Sequence, residues 1–166
     1  MKFSEVRAVL TQKLPPEYHG VRKLPGGGNW VYVPWRNLVR FLDDTCPDHW
    51  GGHWGSPMVV EPAGEYIKDQ RLMVVSYTLC ICGVSREALG SAPMQIISST
   101  GNDASQGDPL ERASADAFRS ACEMFEIGHY LHKQKDREYQ QRLMNWVRAG
   151  KQAAGAQQSE KGVQAA

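Results

Sequence analysis

The sequence predicts an α+β protein in which an antiparallel β-sheet packs against a long helix. Three observations indicate this class: alternating apolar residues within 71–84, helical spacing of small and apolar residues after Pro109, and no alternation of βαβ units. A chain of 166 residues has the usual size of one domain with its own core. We therefore expect a folded domain over residues 1–150, followed by a disordered polar tail over residues 151–166.

The first third of the chain predicts a helix, a hairpin and a second helix. Phe3, Val6 and Leu10 recur at three- and four-residue spacing, which is typical of one apolar face of a helix. Two short apolar segments flank the glycine-rich stretch 25–28, as expected for a β-hairpin. Pro34 suits the start of a second helix. The first helical residue has no partner in the helix for its N–H group, so proline, which lacks that group, loses no hydrogen bond there.

The middle of the chain predicts the sheet. We expect strands over 54–60 and 71–84 and a further strand that ends near residue 97, with Met73, Val75 and Tyr77 on one face of the second strand. The preceding segment 48–52 has the composition of a surface loop.

Two helices are expected after the sheet. The first begins at Pro109, and its small residues Ala113, Ala117 and Ala121 would allow it to approach the sheet closely. The second covers about residues 135–149 and is rich in basic side chains.

Composition excludes several classes of protein. The chain is 42% hydrophobic and 22% charged, without an apolar run of the roughly 20 residues that a membrane-spanning helix needs. The N-terminal segment lacks the apolar core of a secretion signal, and four irregularly spaced cysteines do not form a disulfide framework. We expect a cytoplasmic protein that is neither secreted nor bound to a membrane.

Possible metal and catalytic sites are each less favoured than a structural role. Cys46, His49 and His53 have a spacing that could suit zinc, but they lack a second compact pair of ligands. The acidic residues Glu61, Glu65 and Asp69 could form a nuclease site, although their spacing fits a solvated turn better. No serine lies in a nucleophile-elbow context. We expect no enzyme activity, no metal and no cofactor.

Local positive charge is more informative than the formal net charge of +1. Basic residues are concentrated in segments 7–40 and 131–151, and the first of these segments also contains Trp30, Tyr32 and Trp35. Cations interleaved with aromatic rings suit a groove that follows the phosphates of a single strand and stacks its bases. From composition alone, this is a modest indication of nucleic-acid binding.

Two blocks of sequence resemble the annealing domain of the Rad52 recombination-mediator family. The first block contains Gln12-Lys13-Leu14, Pro16-Glu17-Tyr18, Arg22, Gly26-Gly27-Gly28 and Val31, and the second contains Leu110-Glu111, Ala113, Ala117, Arg119, Ala121, Phe125 and Gly128. The resemblance covers about residues 3–135. It departs from the family at Ser120 and Glu123, where the family usually has basic residues, and at Glu126, which replaces a glycine.

The resemblance implies a homo-oligomeric ring or arc with one DNA strand in a basic groove, bases exposed for pairing. Arg22 and Arg119 match family residues of this groove, and Leu89-Gly90 matches the strand beneath the DNA. The missing helix cations imply either weaker affinity in this groove or compensation by Lys23, Lys133 and Arg137. The expected DNA-binding residues are Arg22, Lys23, Arg36, Arg40, Leu89, Gly90, Glu111, Arg119, Lys133 and Arg137.

The implied function is binding of single-stranded DNA and annealing of complementary strands in homologous recombination and double-strand break repair. The resemblance also implies that the protein is nucleoid-associated and that a recombinase or a single-strand-binding protein is a candidate partner. The alternatives are a nucleic-acid-binding module without annealing activity, such as a DNA-end protector or an RNA chaperone, and, less favoured, a metal-dependent nuclease.

Overall fold

The structure is a computed structural model that describes residues 1–24, 27–61, 71–96 and 107–164, with side chains described through residue 153. The helices are α1 (Phe3–Leu10), α2 (Trp35–Thr45), α3 (Pro109–Met124) and α4 (Arg137–Gln164). The strands are β1 (Gly20–Lys23), β2 (Asn29–Tyr32), β3 (Trp50–Trp54), β4 (Met58–Val60), β5 (Leu72–Ile81) and β6 (Val84–Pro93). Two 3-10 segments lie at Pro16–Tyr18 and His129–Lys135. The predicted α+β class, with antiparallel sheets and a long helix, is confirmed.

β5 is the centre of a four-stranded antiparallel sheet. β6 pairs along its whole length on one side, from Leu72 opposite Pro93 to Ile81 opposite Val84, and β3 and β4 pair with its other side. The predicted strand over 54–60 is thus two short strands, and the predicted loop over 48–52 is wrong from Trp50 onward, where β3 begins.

α3 packs on one face of this sheet. The inward residues of β5 include Val75, Tyr77 and Leu79, and the helix contributes Ala113, Ala117 and Ala121, all buried. A Cβ atom added to Gly90 would lie 2.0 Å from the Ala117 nitrogen, so the backbones of β6 and α3 are in direct contact. The alanine face of α3 and Gly90 together allow this close approach.

The β1–β2 hairpin forms a separate two-stranded sheet, as predicted. Val31 of this hairpin is buried with Leu143, Met144 and Val147 of α4, in a small cluster distinct from the main core to which α3 belongs. The hairpin therefore forms an arm that packs through Val31 against α4, outside the main core cluster.

α4 begins where the sequence predicted the last helix, but its backbone continues to Gln164. The sequence predicted a disordered tail from residue 151. Alanine, glutamine, lysine and glutamate have high helix propensity, so helical backbone can continue here without burying large apolar side chains. The division into a domain over 1–150 and a tail stays a prediction. No helix in the described part of the chain is long and apolar enough to cross a membrane.

Candidate nucleic-acid interface

A cleft of about 340 Å³ lies between the hairpin, α3 and the 3-10 segment His129–Lys135. These elements come from distant parts of the chain, and each contributes charged or aromatic side chains. The lining residues are Arg22, Trp30, Val31, Tyr32, Val33, Leu38, Asp116, Arg119, Glu123, Ile127, Gly128, Leu131, His132 and Lys135.

The hairpin wall is built by alternation of side chains along two paired strands. Arg22 lies opposite Trp30, and Gly20 lies opposite Tyr32, so these four residues share one face of the hairpin. A Cβ atom on Gly20 would clash with the Tyr32 ring at 2.7 Å, so the ring can pack over this position only because residue 20 is glycine. The guanidinium carbon of Arg22 lies 5.7 Å from the Tyr32 ring centroid, within cation–π range. This wall thus presents a cation beside two aromatic rings.

The α3 wall carries Asp116, Arg119 and Glu123, which helical spacing places on one side of the helix. Asp116 accepts a hydrogen bond from the backbone N–H of Ser91 in β6 (3.1 Å), and its other oxygen lies 3.4 Å from an Arg119 nitrogen. This carboxylate therefore links the edge of the sheet to the cleft arginine. The Arg119 side chain remains 42% exposed, so its charge is accessible to an external anion.

The third wall adds His132 and Lys135. The His132 Nε2 atom lies 3.3 Å from Glu123, which gives that carboxylate a partner and adds positive charge when the histidine is protonated. Arg22, Arg119 and Lys135 outnumber the two carboxylates Asp116 and Glu123. The cleft is therefore weakly cationic, with both charge signs on its walls.

The structure brings Arg22 and Arg119 together at this cleft, as the resemblance implies. The other eight predicted residues do not line it. Arg36 forms an ion pair with Glu111 (3.7 Å), so these two exposed side chains compensate each other's charge on the protein surface. Arg40 pairs with Asp44 at 3.6 Å, the compensation that its spacing from Arg36 requires.

Leu89 and Gly90 occupy neighbouring positions on β6 but face opposite sides of the sheet. Leu89 is 68% exposed on the side away from α3, whereas Gly90 packs against the α3 backbone. Lys23, Lys133 and Arg137 are exposed and lie outside the cleft lining. DNA contacts by these residues stay predictions.

The acidic and basic lining residues that were absent from the predicted set are Asp116, Glu123, His132 and Lys135. Lys135 belongs to the basic segment 131–151, but sequence spacing alone did not distinguish it from Lys133. The 3-10 conformation of His129–Lys135 determines which lysine faces the cleft, and nothing in the composition indicated that conformation.

Potential metal ligands do not converge in the part of the chain that the structure describes, where no group of three or more His, Cys, Asp or Glu side chains could hold an ion. Cys46 is fully buried, and its thiol donates to the Leu42 carbonyl oxygen (3.4 Å). Burial raises the pKa of the Cys46 thiol to about 11, which disfavours the thiolate that a metal would bind. Glu65 and Asp69 lie outside the described residues.

Comparison with known proteins identifies the family. The model of the Rad52/22 family of double-strand break repair proteins matches residues 2–147. The chain is 30% identical over 142 residues to the single-stranded DNA-binding protein DdrA of Deinococcus deserti, which covers 80% of this chain and 59% of that relative. It is 26% identical over 134 residues to the mitochondrial DNA repair RAD52-like protein 1 of Arabidopsis thaliana, which covers 78% of this chain and 67% of that relative.

The chain thus spans less than two thirds of the length of DdrA. The family match, by contrast, includes the hairpin, the sheet and α3, which are the elements that build the body and the cleft. This chain belongs to the Rad52/22 family of double-strand break repair proteins.

Proposed function

We propose that this chain binds single-stranded DNA in the cleft between the hairpin and α3, and that it promotes annealing of complementary strands in recombination and double-strand break repair. The observation that carries the proposal is that Arg22 and Arg119, almost a hundred residues apart, line the same cleft together with Trp30 and Tyr32. The relative DdrA is named as a single-stranded DNA-binding protein, which supports the choice of ligand.

The chemistry of the walls fits a single strand. Arg22, Arg119 and Lys135 can contact phosphates and release condensed counterions, so affinity should fall steeply as salt rises. Trp30 and Tyr32 are half-buried and offer rings on which bases can stack without sequence preference. Annealing requires only that the strand be held extended and its bases be accessible, so the proposal needs no covalent step and no cofactor.

The proposed ring or arc of protomers would multiply weak contacts by avidity. One protomer contributes few phosphate contacts, and its cleft is only weakly cationic. The sheet face opposite α3 carries the exposed side chains of Met58 (57%) and Leu89 (68%), an apolar surface consistent with burial in an assembly.

The proposal is tested by Arg22→Ala and Arg119→Ala. Each variant removes one phosphate contact, and we expect about tenfold weaker binding of a labelled oligonucleotide and a salt slope reduced by about 0.7. Fluorescence anisotropy at several salt concentrations measures both quantities. Arg142→Ala is the matched control, because Arg142 is 72% exposed, pairs only weakly with Glu138 and lies outside the cleft. Unchanged affinity in both cleft variants would remove the assignment.

A second candidate is binding without annealing, as in a DNA-end protector or an RNA chaperone. The relative DdrA is named as a single-stranded DNA-binding protein, which favours binding without annealing over a nuclease. The two functions separate when the rate of pairing of two complementary oligonucleotides is compared with retention of one. Retention without faster pairing would support the second candidate.

A further inference from the structure

The outer edge of β2 is bonded by side chains. Along a strand, the backbone N–H and C=O groups of every second residue point to the same edge. Those of Asn29 and Val31 point to one edge of β2, and β1 occupies the opposite edge. Gln134 accepts a hydrogen bond from the Val31 N–H (2.9 Å) and donates one to the Val31 carbonyl oxygen (2.8 Å). Gln140 donates to the Asn29 carbonyl oxygen at 2.5 Å. Two glutamine amides thus stand where a third strand would pair.

Gln134 is held firmly in this role. It is 2% exposed, and its amide nitrogen also donates to the Leu131 carbonyl oxygen at 3.1 Å. Both polar atoms of the side chain are therefore satisfied in a buried position, where unpaired amide groups would be costly. The Gln134 amide, bonded to the backbones of both Val31 and Leu131, therefore connects the 3-10 segment to the hairpin.

The connection matters because the two main walls of the cleft belong to different core clusters. The α3 wall is anchored in the main core through Ala117 and Phe118, whereas Val31 of the hairpin is anchored with Leu143 and Val147 of α4. A two-stranded hairpin is marginally stable by itself in water. The distance between Arg22 and Arg119 therefore depends on how the arm is held.

We propose that Gln134, assisted by Gln140, is a positioning residue that holds the hairpin at the spacing from α3 which a DNA strand requires. This inference rests on the proposed single-stranded DNA binding at the cleft. Gln134 touches no DNA; it acts through the backbone of β2 and hence through Arg22, which is paired with Trp30 next to Val31.

The test is a double-mutant cycle with Gln134→Met, which keeps the length of the side chain and removes its hydrogen bonds. We expect oligonucleotide binding about tenfold weaker, as for Arg22→Ala, because that contact is lost when the arm moves. In the Arg22→Ala background, the same change should weaken binding clearly less than in the wild-type background, because only the stacking on Trp30 and Tyr32 remains to be lost. Gln141→Met is the control, since Gln141 is exposed and its side-chain amide donates to Asn145 within α4.

Hydrogen exchange supplies a second readout that does not depend on DNA. In Gln134→Met, the Val31 amide and the amides of β1 should exchange faster, while those of β5 and β6 keep wild-type protection. If Gln134→Met fails to fold, Gln140→Ala, which removes the bond to Asn29 alone, should give a weaker effect in the same direction.

Two results overturn the inference: wild-type affinity with a folded Gln134→Met variant, or equal weakening in the presence and absence of Arg22. Neither result affects the proposed function if Arg22→Ala and Arg119→Ala still weaken binding. Conversely, if those two variants bind normally, the proposed function fails, and hydrogen exchange still decides whether Gln134 holds the arm.

Discussion

Replacing Gly90 by alanine tests the contact between β6 and α3. The added Cβ would lie 2.0 Å from the Ala117 nitrogen and 2.4 Å from the Ala113 oxygen, and both atoms belong to the helix backbone, which cannot rotate away. Because Cβ contacts under 3.0 Å essentially do not occur, α3 must move from the sheet by about 1 Å. Overpacking of this kind costs about 1–3 kcal/mol. For a chain of this size, the melting temperature should fall by about 2 to 12 °C.

Thermal unfolding followed by circular dichroism measures this shift, with Gly51→Ala as the matched control. Gly51 also lies in a strand of the sheet, but its added Cβ would meet nothing within 4 Å. The control should be neutral or stabilising by about 0.4–1 kcal/mol, because alanine restricts the unfolded chain. If Gly90→Ala melts at the same temperature as Gly51→Ala, the close packing of α3 described above is incorrect.

Two further predictions concern stability. Glu126 has φ of +65° at the end of α3, where Ile127 N–H bonds to the Cys122 oxygen and Glu126 N–H to the Glu123 oxygen. Glycine favours this conformation, so Glu126→Gly should stabilise the protein even though it removes the exposed ion pair with Arg7. We expect the free energy of unfolding, measured by urea titration, to rise by about 0.5 kcal/mol, and a decrease would contradict this. Burial lowers the pKa of His19 below 6.5. As the pH falls, His19 is therefore protonated in the unfolded chain before it is protonated in the folded chain, and the free energy of unfolding should fall below about pH 6.5. His19→Gln should flatten that pH dependence, and an unchanged profile would exclude His19 as its source.

The elements with strong periodicity were predictable from the sequence. Phe3, Val6 and Leu10 predicted α1, and the alternation of Val75 and Tyr77 predicted the inward face of β5, because an apolar side chain that recurs on one face indicates burial.

The start of β3 was not predictable, because paired glycines usually indicate a turn. In the structure, Gly52 lies in a strand, where a Cβ would meet the Thr78 oxygen at 2.3 Å and the Tyr77 hydroxyl at 2.4 Å. This glycine makes room for a neighbour rather than for a bend. Such a role depends on the tertiary partner and leaves no local signal.

The cleft was predictable in its two arginines and not in its remaining charges. The resemblance supplied Arg22 and Arg119 but not Asp116 or Glu123, which lie on the same side of α3 as Arg119. Arg112, one turn before Asp116, donates to the Gly107 and Pro93 carbonyl oxygens at the start of the helix. Which charged groups of a helix reach the cleft depends on chain ends and neighbouring loops, which periodicity does not describe.

The junction between α4 and the first 3-10 segment bears on how the protein can be shortened. A Cβ on Gly150 would lie 2.3 Å from Pro16 carbon atoms, so the helix touches the N-terminal part of the chain three residues beyond the end of the family match. Truncation of the chain after residue 147 would remove the contact between Gly150 and Pro16 and expose the Pro16 ring. A minimal soluble fragment for crystallisation or spectroscopy should therefore retain at least one further turn of helix.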